Sequence, residues 1–163
     1  MPRSRLMVVV ALAAVVACQQ QFTDRERALE LRMVEERFDA WVAAQNNDWR
    51  DSLEALYYQG PEVQVLWDDG RRTEGWDETL AMMQERRASV QYVNIVASQF
   101  HSEIVSRSAA LTVFQHSTDV VQTNLQRRPV AAGQGLLVWV KDPADGIWKI
   151  HTQSVTVNAP SRN

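Results

Sequence analysis

The chain has 163 residues, a formal charge of −3 from 17 basic and 20 acidic side chains, and a single cysteine. That length suits one ordinary domain able to bury a core unaided, and one cysteine excludes an intrachain disulfide or a cysteine-based metal site. The acidic excess, with basic residues scattered apart from the pairs Arg71-Arg72, Arg86-Arg87 and Arg127-Arg128, argues against nucleic acid as a partner.

At the start, Arg3 and Arg5 precede the apolar run Leu6 to Ala17. A basic head before a short apolar body describes a secretory leader, and the run is shorter than the ~20 residues of a bilayer span. Val15-Val16-Ala17-Cys18 resembles a bacterial lipobox. The resemblance implies that residues 1–17 are removed, that Cys18 is acylated as the first mature residue, and that the protein is held to a membrane through this lipid. Gln19, rather than aspartate, after the cysteine implies sorting to the outer membrane, facing the periplasm. Loss of Arg3 and Arg5 leaves 15 basic residues against 20 acidic ones, a charge of −5.

A tether over 18–24 leads into the domain, expected over 25–158 with a tail at 159–163. Thr23-Asp24-Arg25-Glu26 reads as a capping box that opens a long helix. Leu31, Val34, Phe38 and Trp41 recur on one face of that helix and form its buried seam. Asn47 or Asp48 can cap a second, shorter helix through Leu53, Leu56 and Tyr57, stopped by Gly60-Pro61. The period then falls to two: Val63, Val65 and Trp67 make one strand before the turn Asp68-Asp69-Gly70. Gly75, Trp76, Leu80 and Met83 predict a third helix ending near Arg86-Arg87. Val90 to Val121, rich in β-branched and aromatic residues, predicts two antiparallel strands turning near Phe100 to Glu103. Gly135 to Val140 and Ile147 to Val157 form the last hairpin around Asp142-Pro143-Ala144-Asp145-Gly146. Helices gathered on one face of an antiparallel sheet define an α+β domain.

This order, with Trp41-Val42-Ala43-Ala44 followed by Asn47-Asp48, with Gly75 at the third helix, and with Trp148, Ile150, His151 and Ser154 on the final strand, resembles SnoaL-like members of the nuclear transport factor 2-like superfamily. The resemblance covers about Arg25 to Val157. It implies a cone-shaped, curved antiparallel sheet wrapped around the long N-terminal helix with two shorter helices, a cavity that receives an apolar small molecule, and a homodimer through the sheet's outer face. Family enzymes use a carboxylate or histidine in the cavity as a general base. No pair of that kind can be placed here residue for residue.

Of the three histidines, His101, His116 and His151, the latter two are the candidates for acid or base work. His116 shares strand parity with Phe114 and Thr112, which suits an apolar wall, whereas His151 shares parity with Lys149 and Gln153 and suits water equally well. Asp119 stands three residues beyond His116, on the other face of the strand. Asp68 and Asp69 are expected to cap their own turn. The histidines lack metal spacing, so neither metal nor cofactor is expected. The aromatic set supplies Trp41, Tyr57, Trp67, His116 and Trp139 as the expected pocket lining.

Three readings follow: a lipid-anchored module that binds an apolar or amphipathic small molecule without chemistry of its own, a SnoaL-like isomerase, cyclase or hydrolase using His116 or His151 as base, or a scaffold subunit with a filled cone. Turnover separates the second from the first. The anchor has its own test: on cell fractionation the native chain is expected with membranes and Cys18→Ala in the soluble fraction. A variant that still sediments with membranes counts against lipid attachment.

Overall fold

The computed structural model describes residues 22–47, 50–124 and 130–158. Cys18, Asp48 and the Arg127-Arg128 pair lie outside the described residues. Helix α1 (Asp24–Asn46) opens on the expected capping box: the Thr23 hydroxyl accepts from the Glu26 N–H at 3.2 Å, and the Glu26 carboxylate accepts from the Thr23 N–H at 2.8 Å. Val34, Phe38, Trp41, Ala44 and Gln45 are its buried residues, spaced by three or four apart from the adjacent pair Ala44-Gln45.

The second helix is shorter than its sequence suggests. Helix α2 (Arg50–Glu54) ends before Leu56, and Tyr57 forms an isolated parallel bridge with Ile150 instead of a last helical turn. Asn47, one of the two residues that sequence offers as a cap for that helix, closes α1, its N–H bonded to the Ala43 carbonyl at 2.9 Å. Strand β1 (Gln64–Leu66) and the short β2 (Arg72–Glu74) flank the turn at Gly70, whose φ of 84° favours glycine. Helix α3 (Trp76–Ser89) follows Gly75 and carries Asp77 and Glu78 in its first turn and Arg86 and Arg87 in its last, the polarity its dipole favours. Strands β3 (Val90–Ser106), β4 (Ala109–Gln122), β5 (Ala131–Lys141) and β6 (Trp148–Val157) complete the chain.

The six strands form one curved sheet in the order β2-β1-β6-β5-β4-β3, so the α+β cone expected from the sequence is observed. One pairing departs from the antiparallel expectation. After the Tyr57–Ile150 bridge the chain runs alongside β6 in the same direction, and β1 pairs with it in parallel, Gln64 with Thr152 and Val65 with Gln153. The turn between β3 and β4 lies at Arg107-Ser108, not at Phe100 to Glu103. At the earlier position the strand bulges: its register shifts between Ser98 and His101, and Gln99 takes a φ of 48°.

α1 lies in the concavity. The Phe38 and Trp41 rings meet Phe114 on β4 at 5.0 and 5.4 Å between centroids, with Trp139, Trp148, Tyr57 and Leu137 filling the core behind them. Polar pins fix the helix's other sides. Glu30 accepts from the Trp148 indole at 2.8 Å and pairs with Lys141 at 2.6 Å, while Arg37 donates to the Trp148 and Ala55 carbonyls, each at 3.0 Å. At the C-terminal end Asn46 donates to the Ile95 carbonyl at 2.8 Å and accepts from its N–H at 2.5 Å, pairing with β3 as a neighbouring strand would. No helix among the described residues is long and apolar enough to cross a membrane.

Phe114 reaches α1 because Gly135, its cross-strand partner, has no side chain; a Cβ there would collide with the Phe114 ring. Gly135→Ala is therefore expected to lower stability by about 2 kcal/mol through overpacking, read as a fall in the urea midpoint.

Candidate functional site

A cavity of about 110 Å³ opens at the end of the cone away from the β5–β6 hairpin. Trp41 and Gln45 on α1, Trp67 after β1, and Val90, Val93, Ile95, Val120 and Val155 on the strands surround it. His116, Thr118 and Gln153 add polar groups, and Asp68, Asp69, Arg71 and Arg86 stand among its lining. Its volume approaches that of an apolar cavity able to hold one benzene molecule, about 150 Å³.

His116 is 4% exposed and faces inward on β4. Its Nε2 lies 3.1 Å from the Thr156 carbonyl on β6, and its Nδ1 lies 3.1 Å from the Thr118 hydroxyl. A carbonyl only accepts, so Nε2 carries the proton and Nδ1 of the neutral ring accepts from Thr118. The ring crosses β5 to reach Thr156, over Gly133, its cross-strand partner. A Cβ on Gly133 would strike the Thr156 carbonyl and come within 2.9 Å of His116 Nε2.

A second chain of bonds is forced by an indole. Trp41 Nε1–H can only donate, and it donates to the Tyr57 oxygen at 3.3 Å. The Tyr57 proton then goes to Gln153 Oε1 in a short hydrogen bond. Burial pushes the Tyr57 phenol far above its ordinary range, so it keeps that proton at neutral pH. Gln153 is itself 4% exposed.

Asp68, Asp69, Arg71 and Arg86 form an ion-pair cluster beside the cavity. Arg86 pairs with Asp68 and, at 3.1 Å, with Asp69, and its guanidinium lies 5.1 Å from the Trp67 ring centroid. Asp69 also accepts from the Arg71 N–H at 3.0 Å, the turn-capping role expected for it. Burial works against its charge, but hydrogen bonds from Arg71 and the Arg86 charge prevail and hold the carboxyl below its ordinary range. Both aspartates are thus committed to arginine. Among the described residues no group of three or more His, Cys, Asp or Glu could hold a metal ion.

Of the five residues that sequence assigned to the pocket, Trp41, Trp67 and His116 line this cavity. Tyr57 stands one bond behind it, joined to Trp41 and Gln153. Trp139 does not reach it. It lies six residues from Gly133 on β5, about 20 Å along the strand, fully buried with its indole donating to Thr112 at 2.9 Å. His151 is also elsewhere. The β5–β6 register shifts between Trp139–Ile150 and Val138–Thr152, leaving His151 unpaired in a bulge, where its ring stacks on Tyr58 at 6.1 Å. The same bulge reverses strand parity, so Gln153 faces inward with Ile150 and not outward with Lys149. Sequence reasoning missed the aliphatic wall of valines and Ile95, the ion-pair cluster, and the buried amides Gln153 and Gln45. A polar residue four positions beyond Trp41 on a buried stripe was the available signal for Gln45.

No family model matches the sequence, and no curated protein does. Solved structures do match in fold. A nuclear transport factor 2-like superfamily protein from Salmonella enterica superposes with a TM-score of 0.72 at 16% identity, over 82% of this chain and 94% of that one. A hexachlorocyclohexane dehydrochlorinase from Novosphingobium barchaimii gives 0.70 at 11% identity, over 84% and 92%. A protein provisionally described as a scytalone dehydratase from Novosphingobium aromaticivorans gives 0.68 at 18% identity, over 81% and 86%. At these identities the likeness establishes the fold alone: the chain has the cone of the nuclear transport factor 2-like superfamily.

In nitrogen-resolved NMR spectra the neutral form of His116 is expected as the Nε2-protonated tautomer. In Gly133→Ala the ring is expected to leave the Thr156 carbonyl and lose that preference; an unchanged tautomer signal would remove the assigned role of Gly133.

Proposed function

We propose that this is a lipid-anchored cell-envelope protein, held to the outer membrane through Cys18, whose cone takes up an apolar or amphipathic small molecule. The observation that carries the reading is the cavity, where two tryptophans and five aliphatic side chains meet the buried polar groups Gln45, His116 and Gln153 beside the ion-pair cluster, a concave mix of apolar wall and convergent polar groups that suits a small molecule. Support for the anchor comes from Arg3, Arg5, the apolar run and Cys18. The helix cap at Thr23 follows Cys18 by only five positions, which would keep the domain close to the lipid. Exposed Val96 and Val113 on the strands β3 and β4 support a second copy packing on the sheet's outer face.

A second reading is favoured by the bonding of His116. With Nε2–H held by Thr156, the ring's basic atom is Nδ1, beside Thr118 on the cavity wall, where it could take a proton from an acidic carbon. A dehydrochlorinase among the proteins of similar fold accords with elimination chemistry of that kind. His116 lacks a carboxylate on either ring nitrogen, its partners being a hydroxyl and a carbonyl, which is why binding without turnover is the leading reading.

Native mass spectrometry of the protein, purified gently from its own host and compared with a denatured sample, is expected to reveal a co-purifying small molecule. Bare protein at a clean monomer or dimer mass would shift the weight to a transient-substrate enzyme or a scaffold.

A further inference from the structure

Resting on the reading of the cavity as a small-molecule site, we infer that Gln153 is its recognition group and that the ligand presents a hydrogen-bond acceptor oxygen, such as a carbonyl, on an apolar body of about one ring. The Trp41 indole has one proton and no lone pair to offer, so Tyr57 must accept from it. Tyr57 has one proton of its own, which goes to Gln153 Oε1. The amide oxygen is therefore taken, and what Gln153 has left is the two protons on Nε2. Gln153 lines the cavity, and no side-chain nitrogen or oxygen sealed from solvent among the described residues lacks a partner, so this nitrogen opens on the cavity.

Several other polar groups of the wall have partners within the protein, and Ser89 gives its proton to the Arg86 carbonyl. His116 spends its Nε2 proton on Thr156 and its Nδ1 on Thr118, while Asp68 and Asp69 are held by Arg86. A ligand oxygen placed against the Gln153 amide meets a donor, whereas an ammonium placed there meets proton against proton. An amide is as ready to accept as to donate; the Trp41–Tyr57 chain, buried at 1% exposure for both residues, fixes which of the two it does here.

The test uses two ring-sized probes of matched shape, cyclohexanone and methylenecyclohexane, titrated into the full chain and followed by tryptophan fluorescence and by the Gln153 side-chain amide signals in NMR. Comparing the ratio of the two affinities between proteins cancels each probe's own hydration. The ketone-over-alkene ratio is expected to fall about tenfold from the native chain to Gln153→Leu, and to fall also in Tyr57→Phe, where the amide is free to turn. Cyclohexanone is expected to move the Gln153 Nε2 proton signals. If both probes bind the native chain and neither variant changes their ratio, the assignment of Gln153 is overturned while the cavity reading stands. Should neither probe bind, both fail. If the variants do not fold, the amide signals of the native chain decide: cyclohexanone bound without moving them overturns the assignment.

Discussion

Two positions on β5 have no side chain, and the seat of α1 depends on that vacancy. Gly135 leaves the space in which the Phe114 ring lies, and Phe114 is the surface on which Phe38 and Trp41 pack. Gly133 leaves the space through which His116 reaches across a whole strand to the Thr156 carbonyl. A sheet that must curve around a helix crowds its concave face, and inward rings on β4 can lie flat only where the next strand is bare. The same pair of glycines thus sets how deep α1 sits and where the cavity's histidine points.

Behind this apolar framework runs a second order, imposed by tryptophan. Four described indoles each give their proton to an oxygen from another part of the chain: Trp41 to Tyr57, Trp67 to Thr73, Trp139 to Thr112 and Trp148 to Glu30. Because an indole cannot accept, the oxygen in each contact must. Thr73 is in turn bonded to Thr79 at 3.0 Å and Thr112 to Ser102 at 2.8 Å, both pairs buried. A polar group in a core is tolerated when fully satisfied and costly otherwise, so these chains select one packing of the interior rather than adding much net stability.

The features legible in the sequence were those encoded locally. The Thr23–Glu26 box, the Val34–Phe38–Trp41 spacing and the hairpin at Asp142–Gly146 each depend on residues a few positions apart, and the architecture follows from their order. What escaped was set by partners far away. β2 is three residues of Arg-Thr-Glu with no hydrophobic pattern, and it exists because β1 lies beside it. The parallel β1–β6 pairing joins residues almost ninety positions apart, as Gln64 with Thr152. The misplaced turn had a real cause, since strand character does break at Gln99, but as a bulge inside a continuing strand. For the site, period-two reasoning located His116 inside correctly and failed at Gln153, because one unpaired residue, His151, inverts every face that follows it.

β3 is the last strand of the sheet, and a free strand edge is a template on which another chain can add. At Ile95 that edge is already occupied by the Asn46 side chain, which answers both backbone groups as an incoming strand would. The amide has a strand's hydrogen-bonding pattern but no chain to extend it, so it acts as a terminator. The opposite edge, β2, offers only three residues, Arg72, Thr73 and Glu74, two of them charged. Lateral growth of the sheet into fibrils is thereby obstructed at both ends, at one of them by a residue whose more evident task is to tether a helix.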